Sequence, residues 1–262
     1  MNTYMYSKSK YLQNSFVMVD FLHRHNFLQT TEIYRVMMTV SEYLKNPCGT
    51  LPLPYFKYKS QNPDKDVKCV HDDDFEESML SDYSGERYFR LLHRLEKVEF
   101  PISDKYYLKT AVFEDIPKIV EIVNLSYSDI KTTVEEFTSL TLTETYDGDL
   151  WVLALDCKDN EVIGCGIADY DRMLNEGYLE WIQVLPEKRG NKIGTLIVNE
   201  LLKRLQRKAS FATVCGRADS DSNPEKLYRN CGFTGSDIWH ILKKRTAEDN
   251  KEKKDGVSEE DI

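Results

Sequence analysis

Residues 184–195 read Val-Leu-Pro-Glu-Lys-Arg-Gly-Asn-Lys-Ile-Gly-Thr, and this stretch decides the fold. It ends an apolar strand pattern and precedes apolar residues at helical spacing, namely Ile193, Leu196, Ile197, Leu201 and Leu205. A strand, a basic glycine-containing turn and a helix, in that order, leave free backbone N–H groups at a helix N-terminus, where the helix dipole also favours anions. Because Lys188, Arg189 and Lys192 add positive charge, the stretch predicts a site for a ligand that carries phosphate.

A second pattern lies downstream of this turn. The strand pattern at 211–216 leads to Asn-Pro-Glu-Lys-Leu-Tyr-Arg-Asn-Cys-Gly-Phe at 223–233, where Pro opens a helix and Gly ends it. Neither GxxxxGK[ST] nor GxGxxG is present in the turn at 184–195, which disfavours the common nucleotide loops. A glycine turn that only caps the helix remains an alternative for that turn taken alone.

Composition bounds the class of protein. The chain has 262 residues, of which 41% are hydrophobic, and its net charge is −9 from 35 Lys plus Arg and 44 Asp plus Glu. This composition supports a real core and excludes a collagenous, disulfide-stapled or fully disordered chain. The acidic balance argues against nucleic acid as a partner, because phosphate-backbone binding needs clustered cations.

The cysteines and the N-terminus suggest a compartment. Six cysteines occur without a CxxC pair, so we expect reduced thiols and no metal site, the run 69–74 with its Cys, His and Asp residues included. No secretory signal and no run of about 20 apolar residues is seen, so we expect no membrane partner. A cytoplasmic protein is the simplest expectation.

Hydrophobic spacing places the elements around the two motifs. Strands are predicted at 106–113, 150–155, 162–170 and 178–185, and helices from 115 and over 133–140. Tyr88, Leu91, Leu92 and Leu95 have helical spacing, which predicts a further helix over 85–98. The expected fold class is α/β, or α+β, with a mixed and mostly antiparallel sheet flanked by helices.

Composition shifts divide the chain into four parts. Residues 46–104 are predicted as a linker and helix, because 46–77 is rich in Pro, Gly and Asp. Residues 105–244 form the predicted domain that carries both motifs, and 245–262 form a charged tail that we expect to be disordered. Residues 1–45 are the fourth part, and the pattern at 21–37 echoes that at 227–242, which suggests an internal repeat as readily as chance.

The two motifs together resemble the GNAT (Gcn5-related N-acetyltransferase) superfamily, over about residues 106–244. The family's acyl-CoA loop, Q/R-x-x-G-x-G/A, is matched by Arg189, Lys192 and Gly194, with Lys192 where the family prefers glycine. Asn223, Leu227, Tyr228, Gly232 and Phe233 resemble the family's N-x-x-x-L-Y-x-x-x-G-F segment. If the repeat is real, residues 1–45 resemble the closing part of a second GNAT module, and the sequence leaves open whether they narrow the acceptor cleft or form a homodimer contact.

The resemblance implies transfer of an acyl group, with acetyl-CoA as cosubstrate and without a metal, to a small-molecule or lysine-type amine. It implies Glu180 as general base and Tyr228 as proton donor to the departing thiolate. It also implies a donor site that includes the backbone of Ile182 and Val184, the side chain of Asn223, and the loop residues Arg189, Gly190, Asn191, Lys192, Ile193, Gly194 and Thr195. We expect direct attack by the amine, because no convincing Cys/His pair lies near the loop.

Alternatives stay open for the individual residues and for the whole chain. Glu180 on an alternating strand could simply face solvent, and Tyr228 could be a half-buried helix aromatic. The chain could be a catalytically inactive CoA-binding or structural GNAT-like module, or a nucleotide-phosphate protein. The sequence does not identify the acceptor amine. The net charge and the acidic residues Glu144, Asp147 and Asp149 favour a cationic one.

Overall fold

The computed structural model describes residues 40–50, 66–98, 103–126, 131–220 and 222–245. The chain divides into two compact units, Met1–Lys65 and Asp66–Ile262. The described part of the first unit contains the short helix α1 (Val40–Tyr43), in which Tyr43 is buried. Every element discussed below belongs to the second unit. None of the helices in the described ranges is long and apolar enough to cross a bilayer.

The second unit alternates strands and helices after two N-terminal strands. Its strands are β1 (Val67–His71), β2 (Tyr83–His93), β3 (Tyr106–Thr110), β4 (Trp151–Asp156), β5 (Val162–Asp171), β6 (Glu176–Val184), β7 (Phe211–Arg217) and β8 (Thr234–Lys244). Its α-helices are α2 (Ile116–Ser126), α3 (Val134–Leu140), α4 (Ile193–Leu205) and α5 (Pro224–Asn230). This alternation is what the hydrophobic spacing of 106–244 predicts.

The described strands form one eight-stranded sheet, in the order β1-β8-β2-β7-β6-β5-β4-β3. Within it, β6 and β7 are parallel, and the remaining neighbours are antiparallel. A parallel pair needs a crossover, and α4 supplies it. The prediction of a mixed, mostly antiparallel sheet with flanking helices is therefore confirmed.

The two faces of the sheet have separate cores. Ile197, Leu201 and Leu205 of α4 pack on one face with Val152, Leu179 and Val214, and we call it the α4 face. On the opposite face, Ile119 and Phe137 from α2 and α3 pack against residues such as Trp151 and Ile167. Successive side chains of a strand point to opposite faces of the sheet. Once the core that contains one residue is known, the faces of its neighbours on the same strand follow.

The predicted helix over 85–98 is wrong, because this segment forms β2. Strand β2 lies between β7 and β8 and pairs with both. Phe89 and Leu91 are buried on the α4 face, and the intervening Arg90 is buried on the other, so both faces of this central strand are covered. A strand buried on both faces loses the polar alternation that would distinguish it from a helix, which explains the error.

The predicted linker at 46–77 is also wrong in part. Val67–His71 is strand β1, which pairs with β8 at the edge of the sheet. A short edge strand needs few apolar residues, so its composition resembles that of a loop. The rest of the proposed domain division is untested: residues 1–39 and 246–262, on which the suggested repeat and most of the charged tail fall, lie outside the described residues.

Candidate active site

A gap opens in the middle of the sheet between β6 and β7. The two parallel strands pair from Glu176 opposite Phe211 to Leu179 opposite Val214. Beyond this point β6 continues to Val184, whereas Cys215, Gly216 and Arg217 of β7 pair with β2. Neighbouring strands that stop pairing leave unsatisfied backbone groups along the open edge. The gap therefore offers β6 backbone to an extended ligand.

Glu180 lies where the gap begins. Its neighbours Leu179 and Trp181 pair with the adjacent residues Ala168 and Ile167 of β5, so Glu180 is the extra residue of a β-bulge. Bulges redirect side chains and are common beside active sites. The sequence-based choice of Glu180 as a functional carboxylate thus coincides with a local irregularity that the sequence does not reveal.

The bulge at Glu180 interrupts the alternation of faces along β6. Leu179 packs toward α4, Trp181 packs against the opposite core, and Ile182 packs toward α4 again. Glu180 therefore lies at the point where the side chains of β6 change face. The charge of Glu180 is one of the causes that raise the pKa of Tyr178, after the larger effect of burial.

The backbone groups of Ile182 and Val184 point into the gap. The N–H of Leu185 donates to Ile163 O of β5 at 3.0 Å, which directs Leu185 toward β5. Since the polar groups of successive strand residues alternate in direction, those of Val184 and Ile182 point the other way. The Val184 carbonyl accordingly accepts a hydrogen bond from Arg189 Nε at 3.2 Å. The two residues predicted to bind the donor through their backbone therefore have that backbone directed at the gap.

The loop after β6 presents a row of amides. A 3-10 turn, Pro186–Lys188, leads to Gly190 with φ of 81° and Lys192 with φ of 61° before α4 begins at Ile193. Within the described ranges, no acceptor contacts the backbone N–H groups of residues 190–195. These are the donors that a helix N-terminus leaves open, so the loop fits a diphosphate.

The side chains of the predicted loop have several tasks. Ile193 is buried in the α4-face core, so its amide is the group left for a ligand. Gly194 lies against α5, and a Cβ there would be 3.1 Å from Leu227 Cδ2. Asn191 donates to the carbonyls of Lys188 and Arg189, which folds the turn onto itself. Thr195 is partly buried in the first turn of α4.

The structure redistributes the positive charge of the loop. Lys188 contacts Glu161 at 3.2 Å and Asp156 at 3.7 Å, and its hydrogen bond to Glu161 raises its pKa. Arg189 donates to carbonyl groups, with Nη2 3.0 Å from Ser126 O at the end of α2. Lys192 is exposed at the helix N-terminus. Lys188 therefore pairs with carboxylates of the β4–β5 hairpin, and Arg189 and Lys192 remain as the candidate cations for an anionic ligand.

The second motif forms α5, which packs against α4 and β7. Asn223 is its N-cap and accepts a hydrogen bond from the Lys226 N–H at 3.3 Å, so its side chain already has a structural task. Tyr228 is 7% exposed, and its ring lies 6.0 Å from that of Phe89 and 5.7 Å from that of Phe233. Tyr228 thus belongs to the α4-face core. The roles predicted for both residues stay predictions.

The sequence did not predict one set of buried polar residues near the gap. Arg90 of β2 extends across β7 to Glu176 of β6, with Nη2 3.4 Å from Oε1, and both side chains are fully buried. Thr213 of β7 also donates to Glu176. Arg90 and Glu176 are 86 positions apart, and no local pattern links them. Among the described residues, no group of three or more His, Cys, Asp or Glu side chains is arranged to hold a metal ion.

Comparisons with known proteins identify this architecture. A GCN5-related N-acetyltransferase from Sphaerobacter thermophilus shares the fold with a TM-score of 0.56 and 19% identity, over 68% of this chain and 58% of that one. A GNAT-family acetyltransferase from Colwellia psychrerythraea gives a TM-score of 0.51 and 10% identity, over 68% of this chain and 65% of that one. The fold is therefore that of the N-acetyltransferases.

The family match rests on sequence as well. Residues 146–235 match the model of the acetyltransferase (GNAT) domain, which confirms the resemblance for this part of the chain. A GCN5-related glucosamine N-acetyltransferase region of a fungal multi-domain GH3 beta-N-acetylglucosaminidase also shares the fold, with a TM-score of 0.52 and 15% identity over 66% of this chain and 24% of that one. A search among curated proteins found no match. The GNAT fold supports acyl transfer in general terms.

Proposed function

We propose that this protein is an acetyl-CoA-dependent N-acetyltransferase that acts by direct attack of an amine on the thioester. The observation that carries the proposal is the position of Glu180, a bulged carboxylate at the point where β6 and β7 separate. The open amides of residues 190–195 lie at the other end of the β6 segment that borders the gap. A diphosphate site and a carboxylate thus lie at the two ends of one extended groove, which fits a CoA thioester.

The residues act at different points of the reaction. The amides of residues 190–195 bind the diphosphate, and the backbone of Val184 and Ile182 binds the pantetheine arm. A backbone N–H at the bulge stabilises the negative charge that develops on the thioester oxygen. An alkylammonium has a pKa of about 10.4, so a base must take its proton before attack, and Glu180 does so. Tyr228 delivers a proton to the thiolate from the α4 face.

We propose a cationic amine as the acceptor. The net charge of −9 favours the approach of cations. The structure narrows this argument, because Asp147 and Asp149 contact Lys208 Nζ at 2.7 and 3.0 Å and are therefore partly neutralised. The attraction rests on the overall charge and on Glu180 rather than on those aspartates. A mass-spectrometric screen of acetylated polyamines, aminoglycosides and lysine peptides would identify the acceptor.

Glu180→Gln tests the proposed base. The amide keeps the size of the side chain but cannot accept the proton, so we expect turnover to fall about 100-fold or more. The Kd for CoA, measured by calorimetry, should change less than about twofold, because the diphosphate and the arm are bound elsewhere. Glu121→Gln, which alters an exposed carboxylate on α2 that pairs with Lys118, is the matched control.

The outcomes separate the proposal from its alternatives. Unchanged turnover in Glu180→Gln removes Glu180 from the mechanism. CoA binding without transfer to any amine supports an inactive CoA-binding module instead. Tight ATP binding in the absence of CoA binding supports a nucleotide-phosphate protein.

A further inference from the structure

A buried polar cluster lies at the closed end of the gap, on the face opposite α4. Its members come from three strands: Arg90 from β2, Glu176 and Tyr178 from β6, and Thr213 and Cys215 from β7. The Arg90 and Glu176 side chains are 0% and 1% exposed, and Tyr178 is 4% exposed. Burying this much polarity is costly, and the contacts of Glu176 with Arg90 and Thr213 offset part of that cost.

Tyr178 spans the gap within this cluster. It lies opposite Thr213, one position before the last paired residues, Leu179 and Val214. Its side chain is hydrogen-bonded to that of Cys215, the first residue of β7 beyond the pairing. Arg90 lies opposite Cys215 in the β2–β7 register, so the two side chains lie on the same face of the sheet. The phenol ring therefore reaches from β6 to β7 at the level where the strands part.

Burial keeps the Tyr178 hydroxyl neutral. Its pKa is raised well above the usual 10, first by burial and then by the charges near it, against the opposing effect of Arg90. A neutral phenol remains a hydrogen-bond donor, which suits the contact with Cys215. The cross-strand bridge thus persists throughout the pH range in which the protein would work.

The direction of the donor follows from the groove. The diphosphate site lies beyond Val184, and the proposed base, Glu180, must lie beside the reacting carbonyl. The four steps from Val184 to Glu180 span about 13 Å at about 3.3 Å per strand residue. The pantetheine arm therefore runs from Val184 toward Glu180, and the acyl chain continues beyond the carbonyl toward Leu179 and Tyr178. There the strands pair and the gap ends.

We propose that Tyr178, held by Cys215, closes the inner end of the gap and limits the donor to a short acyl group, with acetyl preferred. This inference rests on the proposed function and names the substrate class of the same site. A longer acyl chain would have to displace the Tyr178 ring or separate the strands, because close-packed interiors do not accommodate extra methylene groups freely.

Tyr178→Ala tests the inference through donor selectivity. The measurement is kcat/KM for acetyl-CoA, propionyl-CoA and butyryl-CoA with one amine. We expect the ratio of butyryl to acetyl to rise about tenfold or more, because one or two methylene groups change selectivity in a closed pocket by that order. The Kd for CoA itself should change less than about twofold, since the arm and the diphosphate keep their partners.

Two control variants separate the size of the ring from its mere removal. Tyr178→Phe keeps the ring, so acyl selectivity should stay near that of the unaltered protein. Tyr170→Ala removes a tyrosine at the far end of the β5–β6 hairpin, where its hydroxyl donates to Lys208 O at 2.7 Å, and should also leave selectivity unchanged. If Tyr178→Ala does not fold, Tyr178→Leu keeps an apolar side chain that is shorter than the ring and should shift selectivity in the same direction.

Two results would overturn the inference while leaving the proposed function intact. The first is a folded, CoA-binding Tyr178→Ala whose acyl preference equals that of the unaltered protein. The second is an unaltered protein that uses butyryl-CoA as well as acetyl-CoA. Absence of CoA binding and of transfer with any donor would instead refute the proposed function, and this inference with it.

Discussion

At the scale of single residues, Lys192 has a conformation that suits glycine better. Its φ of 61° lies in the left-handed region, where a Cβ crowds the following carbonyl. The GNAT motif that this loop resembles has glycine at the matching position, and glycine adopts this conformation without strain. The exposed ammonium of Lys192 adds a cation beside the open amides of the loop. The Lys192 backbone is strained because its side chain is not that of glycine.

Lys192→Gly should separate strain from charge. Removing the Cβ relieves about 1–2 kcal/mol of backbone strain in the folded protein. Glycine also gives the unfolded chain more conformational freedom, which lowers stability by about 0.5–1 kcal/mol. We therefore expect the unfolding free energy to rise by about 0.5–1 kcal/mol. Lys192→Ala is the control, because it removes the same charge and keeps the Cβ. Urea unfolding measures both variants, and equal stabilities would contradict the strain argument.

At the scale of elements, the loop between β6 and α4 is held by an arginine. The Arg189 guanidinium donates to Val184 O at the end of β6 and to Ser126 O at the end of α2. Two charge-assisted hydrogen bonds in a planar fork fix the loop against both elements. Arg189 thus positions the open amides, in addition to any direct contact with phosphate.

Arg189→Ala should weaken CoA binding more than it weakens the fold. Loss of the two contacts lets the loop move, so binding of CoA must order the loop again. If this ordering costs about 1.4 kcal/mol, the Kd for CoA rises about tenfold. Arg207→Ala, which alters an exposed arginine just beyond the C-terminal end of α4, is the control. Calorimetry gives the two Kd values, and a Kd for Arg189→Ala equal to that of the control would show that the fork does not position the loop.

At the scale of the whole molecule, an N-terminal strand completes the eight-stranded sheet. Strand β2 separates β7 from β8 and contributes the buried side chains of Phe89, Arg90 and Leu91. The segment matched by the family model, residues 146–235, contains neither β1 nor β2. Without β2, strands β7 and β8 would each expose a row of backbone groups in the middle of the sheet.

Truncation should reveal this dependence. A chain that begins at residue 103 loses the burial of Phe89 and Leu91, about 3–6 kcal/mol, out of a total stability of about 5–15 kcal/mol for an ordinary domain. We expect it to unfold noncooperatively or to associate through the unpaired edges, whereas a chain that begins at residue 66 retains β1 and β2. Thermal unfolding followed by circular dichroism, with size-exclusion chromatography, distinguishes the two. Equal melting temperatures would show that β2 is dispensable.

The sequence alone determined the part of the molecule that is built from local patterns. The alternation of strands and helices over 106–244, the helix start at Ile193 and the cap at Asn223 follow from the spacing of apolar residues and from breaker residues, which act within a few positions. The two GNAT motifs are local for the same reason, because a helix N-terminus and its loop are formed by consecutive residues. Glu180 became a candidate because its strand leads into the loop, where the GNAT resemblance implies a catalytic carboxylate.

Tertiary structure alone decided what depends on residues far apart in the chain. The insertion of β2, the bulge that directs Glu180 and the contact of Arg90 with Glu176 each depend on pairing between distant strands, and a helical or a buried-strand pattern fits 85–98 equally well. The fold resolved that ambiguity because β7 and β8 need a partner on both edges. The fold also decides which carboxylates pair with Lys188. The position of the β4–β5 hairpin in the structure brings Asp156 and Glu161 close to it.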